Sequence, residues 1–185
     1  MRHVLSLTMT GLALTVVPCS AQVVTPTGDS TPVAQAIDVQ SIDAIIASLY
    51  DVISGPAGEA RDWDRFRSLF VHDAKLIPAF TPGEGQANRA MLLTTEDYVS
   101  RSGPMVEERG FFESEIGRVT EQFENIAHVF STYESRWTQD GDVFQRGINS
   151  IQLLFDGERW WIVNIMWWGV RPDTEIPKQY LGQEG

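Results

Sequence analysis

Sulfur chemistry is almost missing from this chain: its 185 residues hold one cysteine, Cys19, and that residue sits near the start. A single cysteine excludes an internal disulfide framework. Histidine is scarce as well, with His3, His72 and His128 widely separated, so no His-x-x-x-His pair or Cys/His cluster offers a metal site. The sequence contains no Gly-x-Ser-x-Gly, which removes the usual signal for a nucleophilic serine, and the Gly-rich Thr81–Arg89 stretch lacks the Lys-Ser/Thr ending of a phosphate loop. Basic residues are outnumbered, 14 against 25 acidic, for a net charge of −11. Such a surface repels phosphate backbones and anionic lipid, so nucleic acid is not an expected partner.

The only long apolar run is at the beginning. Met1-Arg2-His3 is followed by apolar Val4–Val17 and by Cys19-Ser20-Ala21, the order of a secretory signal peptide with cleavage after Ala21. The run is too short and too rich in Thr and Ser for a membrane span, and Pro18 before Cys19 disfavours lipid attachment there. The expected location is therefore periplasmic or secreted. Residues 22–36 read as a flexible leader, 37–170 as one domain and 171–185 as a tail.

Apolar residues make up 43% of the chain, enough for a core. From Asp38, Ile42, Ile45, Ile46, Leu49, Val52 and Ile53 recur at helical spacing until Gly55-Pro56 stops them. A second helix is expected over Arg61–Phe70, with Trp63 and Phe66 inward, followed by a strand over Ala74–Phe80. A third opens at Thr95 and should break at Gly103-Pro104. Phe111–Phe123 reads as the most polar of the long strands, an edge or a partly solvated one. Three β-rich runs then follow, separated by Gln139-Asp140-Gly141-Asp142 and Asp156-Gly157-Glu158, each a hairpin signal. Helices followed by a meander predict an α+β fold: a curved antiparallel sheet wrapped on the long first helix as a cone.

Three passages resemble the nuclear transport factor 2-like superfamily in its SnoaL-like branch. They are the helix Ile42–Ile53, the passage from Asp62-Trp63 through Leu69-Phe70 to Asp73-Ala74, and the final Asp156-Gly157-Glu158-Arg159-Trp160-Trp161-Ile162-Val163. The resemblance implies a pocket in the cone. It also implies that enzymatic members, similar to ketosteroid isomerase, scytalone dehydratase or polyketide cyclases, use Asp, His or Tyr without metal or organic cofactor. Other members only bind ligands or dimerise.

The candidate acid–base residues are His128, Tyr133 and Asp73. His128 shares strand parity with Ile126, Phe130 and Thr132, and is a site residue only if that parity faces inward. Asp73 follows His72 directly and equally suits the fastening of a turn. The expected ligand lining is Trp63, Phe66, His128, Phe130, Gln152, Asn164 and Trp167, since amides on central strands need either a wet pocket or each other. Indoles at Trp160, Trp161, Trp167 and Trp168 occupy both faces of one strand, which calls for a homodimer partner across the sheet or a tail folded back on it. The expected function is binding of a small apolar molecule, with a cofactor-free lyase or isomerase as the alternative. A protein-docking module on the exposed sheet face is the third.

Overall fold

The computed structural model describes residues 31–171 and 174–182. The expected signal peptide and most of the leader fall outside them. A single turn, α1 (Ala36–Val39), leads into α2 (Ile42–Ile53), whose first turn is capped by Ser41 accepting from the Ala44 N–H at 3.1 Å. Ile45, Ile46, Leu49, Val52 and Ile53 are buried, as their spacing demands. Asp38 of α1 is also buried, and is fully engaged. It accepts from Ser48 Oγ and is gripped by both Arg65 Nε and Nη2, each contact at 2.9 Å. That fork from α3 (Trp63–Ser68) holds its carboxyl below the usual range.

The sheet has six strands: β1 (Phe70–Phe80), β2 (Arg89–Ala90), β3 (Phe112–Phe123), β4 (Ile126–Arg136), β5 (Val143–Phe155) and β6 (Trp160–Gly169). Their order is β2-β1-β6-β5-β4-β3, which makes β3 an edge as expected. Both Asp-Gly turns form hairpins, and Gly157 takes a φ of 105° that a Cβ would resist. The sheet is mixed, because β1 runs parallel to β6 after the long intervening connection.

Two boundaries differ from expectation. β1 begins at Phe70 rather than Ala74, with an irregularity at Asp73, where φ is 63°. Helix α4 (Thr95–Arg109) runs straight through Gly103-Pro104. Its capping box at Thr94 and Asp97 secures the start, and Gly103 gives Pro104 an unbranched predecessor. Gly103 is also pressed on Trp63, where a Cβ would lie 3.2 Å from the indole.

The concave face packs on α2 through Val129, Ile151 and Ile162, all fully buried. The outer face is crossed by the tail, which ends in a short turn, η1 (Lys178–Tyr180). Thr132 Oγ1 donates to Tyr180 O at 2.6 Å, the Gly182 N–H donates to Ile116 O at 3.0 Å, and the Tyr180 ring sits 4.9 Å from that of Phe130. Gly117, beside a bulge in β3, makes this approach possible: a Cβ there would lie 2.3 Å from Gly182 N. Between tail and sheet lies an apolar cleft of about 300 Å³ containing Met166 and Trp168. No helix among the described residues is long and apolar enough to cross a membrane.

Candidate functional site

Inside the cone, between the C-terminal part of α2, the length of α4 and the sheet, is a cavity of about 190 Å³. Leu49 and Ile53 of α2, Leu76 of β1 and Met105 and Val106 of α4 give it an apolar lining. Phe66, Tyr98 and Trp167 form an aromatic wall: Tyr98 stacks on Phe66 at 5.4 Å and meets Trp167 edge-on at 6.3 Å. Arg61 braces α2 against α4. Its buried guanidinium donates to Ile53 O at 3.2 Å, Gly55 O at 2.5 Å and Val106 O at 3.1 Å.

Set into this apolar lining is one carboxyl, Glu113 of β3. Burial pushes its pKa up to about 7, against hydrogen bonds from Ser135, whose Oγ donates at 2.8 Å, and from the Asn149 side chain. No cationic side chain lines the cavity among the described residues, so no counter-charge opposes the burial. Two phenols share the space, Tyr98 and Tyr133. Burial first, and then the nearby Glu113 charge, raises both above the ordinary tyrosine value, so both remain protonated donors at any physiological pH. Neither hydroxyl has a hydrogen-bond partner among the described residues, which leaves both protons for a bound molecule. The Tyr133 ring lies over Gly147 of the next strand, where a Cβ would come within 2.4 Å of its oxygen.

The residues expected from sequence divide between two faces. Phe66, Trp167 and Tyr133 line the cavity. Trp63 packs behind Phe66, ring to ring at 5.6 Å, with its N–H on Glu107 at 2.8 Å. His128, Phe130, Gln152 and Asn164 share the outer face, because the inner parity of β4 belongs to Ala127, Val129, Ser131 and Tyr133, which pack toward α2. His128 bonds Ser150 at 2.9 Å there, so it does not meet Tyr133. Asp73 is exposed at its turn, 3.1 Å from His72 Nδ1. The three expected acid–base residues are thus not brought together. In the sequence Glu113 shows only as polarity on the Phe111–Phe123 strand. The signal that finds it is the row Ser131, Tyr133, Ser135 at period two on the adjoining strand, a set of hydroxyls that calls for polar neighbours.

No family model matches the sequence, and no curated protein matches it. Solved structures do. A cystatin-like-fold protein of unknown function from Nostoc punctiforme superposes with a TM-score of 0.54 at 10% identity, over 72% of this chain and 91% of that one. A scytalone dehydratase candidate from Novosphingobium aromaticivorans gives 0.53 at 13% identity, over 79% and 92%. LinA gives 0.51 at 8% identity, over 75% and 92%. At such identities the likeness is one of fold. The chain has the cystatin-like, nuclear transport factor 2-like fold that its sequence resembles.

Proposed function

We propose that the protein is a cofactor-free lyase or isomerase, with Glu113 moving a proton on a small, uncharged, mostly apolar molecule held in the cone. The observation that carries this reading is the single carboxyl set in an apolar cavity beside two unpartnered phenols. Simple binding of an apolar molecule has no use for such a group, which is costly to keep dry. A carboxyl titrating near 7 can take a proton and return it at neutral pH. In a substrate with an acidic C–H beside a carbonyl, the Glu113 carboxylate accepts that proton. A Tyr98 or Tyr133 phenol donates a hydrogen bond to the carbonyl oxygen as negative charge builds there. Return of the proton at another carbon isomerises the molecule, and loss of a β-leaving group makes the step an elimination. One neighbour of the same fold carries a dehydratase name, which agrees with the elimination branch. Anionic substrates fit poorly, since nothing in the lining balances their charge. The cavity volume lies below the roughly 300–1,000 Å³ of drug-sized sites, which favours a compact substrate.

The test needs no knowledge of the natural substrate. Small apolar ketones are incubated with the protein in heavy water, and α-carbon deuteration is followed by NMR. We expect exchange that rises with pH through about 7 and falls at least about 100-fold in Glu113→Gln. Ketones that bind but do not exchange would return the cavity to a purely binding role.

Export and pairing belong to the same proposal. The signal-like start supports an exported protein. Phe123 and Ile126, 72% and 59% exposed beyond the reach of the tail, support a second copy against the outer face.

A further inference from the structure

Beside the cavity runs a chain of hydrogen bonds whose direction is fixed from its far end. Glu115 is paired with Arg118, Oε2 to Nη2 at 2.8 Å, and Arg118 reaches Asp43 at 2.8 Å. An ionised carboxylate only accepts, so Ser131 Oγ gives Glu115 Oε1 its one proton, at 2.5 Å. The Tyr50 hydroxyl, 2.7 Å from Ser131 Oγ, must then be the donor in that pair. With its proton committed, the Tyr50 oxygen can only accept, and it accepts from Asn149 Nδ2 at 3.0 Å. A rotated amide would put Asn149 Oδ1 against an oxygen with no proton to offer. Tyr50, Ser131 and Asn149 are all buried, so the mismatch would fall where water is largely excluded.

We propose that Tyr50, Ser131 and Glu115 are positioning residues that hold the Asn149 side chain with its nitrogen, not its oxygen, turned to Tyr50 and to Glu113. Asn149 and Glu113 both line the cavity, and with its nitrogen turned that way the amide offers the Glu113 carboxylate a donor, which opposes the effect of burial. The other groups facing Glu113 are Tyr50 from α2, Tyr98 from α4, and Tyr133 and Ser135 from β4. None of them is cationic, so the orientation of one amide decides whether the carboxylate meets a donor or an acceptor. The chain does not conduct protons, because an amide passes none on. It sets the basicity of Glu113, and its importance to function rests on the reading of Glu113 as the proton carrier.

The test is direct titration of Glu113 by carboxyl ¹³C NMR, in the full-length, ligand-free protein. Asn149→Ala should raise the midpoint by about one pH unit, and Tyr50→Phe should raise it in the same direction. Because both act through one amide, the double variant should titrate no higher than Asn149→Ala alone. Ser131→Ala should follow Tyr50→Phe, and Ser131→Thr, which keeps the hydroxyl, should return the midpoint to that of the unaltered chain. If Tyr50→Phe does not fold, Ser131→Ala against Ser131→Thr decides alone. Midpoints unmoved by Tyr50→Phe and Ser131→Ala, or shifts that add in the double variant, would overturn the proposal. The unaltered chain's own midpoint is a separate result: an ordinary carboxylate value would remove Glu113 as a neutral-pH base, while the differences between variants would still decide the chain.

Discussion

Glu113→Gln should abolish proton transfer and, above neutral pH, make the protein more stable. The glutamine keeps the size of the side chain and can still accept from Ser135, but it cannot ionise. In the natural chain the carboxyl titrates at about 7 rather than 4.5. At 1.36 kcal/mol per pH unit, that displacement amounts to on the order of 3 kcal/mol. The sign follows from proton counting. Below about pH 4.5 the folded and unfolded chains both carry the proton, and stability is at its full value. Between 4.5 and 7 only the unfolded chain releases it, so stability falls as pH rises, and above 7 the loss stays constant. For a chain of this length, the full difference amounts to roughly 6–12 °C in Tm. The assay is thermal unfolding of both proteins from pH 4 to 9, with the two curves subtracted so that His72, His128 and the surface acids cancel. The difference should be small at pH 4 and grow through pH 7 in favour of the variant. A flat difference would refute the argument that burial has raised this carboxyl.

Other perturbations test other parts of the design. Arg61→Ala should cost about 3 kcal/mol in chemical denaturation, because it removes the guanidinium bonds to the Ile53 and Val106 carbonyls and leaves the Gly55 carbonyl with the Phe111 N–H alone. Tyr133→Phe should leave the fold intact and slow α-carbon exchange by roughly tenfold or more, unless Tyr98 alone serves the carbonyl. Gly117→Val should lift the tail off the outer face, costing about 1–3 kcal/mol and freeing Tyr180 to fluoresce as a solvated ring. Ile126→Lys with Phe123→Lys should turn a dimer into a monomer in sedimentation; if the natural chain already sediments as a monomer, pairing through this face is refuted. Intact mass of the exported protein should show a chain that begins at Gln22.

Local signals carried the architecture a long way. The spacing of Ile42 through Ile53 marks a helix with one apolar stripe, and Asp140-Gly141 and Asp156-Gly157 mark turns that tie three strands in register. Each signal acts over a few residues, so sequence displays it directly. Strand faces are a different matter. Bulges between Glu115 and Gly117 and between Gln152 and Leu153 change parity within a strand, and both depend on partners distant in sequence. Within β4 the alternation is unbroken from Ile126 to Ser135, so His128 and Tyr133 face opposite ways, but which of the two parities turns to α2 is set by packing with distant elements and not by the strand itself. Glu113 escaped for a related reason. In sequence it is one of several acids on a polar strand; only the fold places it beneath α4 and opposite Ser135. Pro104 misled in the other direction, since the rule that proline ends helices takes no account of the glycine before it.

The parallel pairing of β1 with β6 gives the molecule an order of assembly. On the ribosome, α2 and β1 emerge early, but the strand that joins β1 to the meander is the last of the six to be made. Glu113, Tyr133, Asn149 and Trp167 come from four successive strands, β3 to β6, so the cavity wall gains one residue with each strand synthesised. Until Trp160 is made the chain is a half-built cone, with β1 lacking its main partner and β5 an open edge. A stall or truncation anywhere before Trp160 leaves an open, apolar sheet edge rather than a smaller working protein.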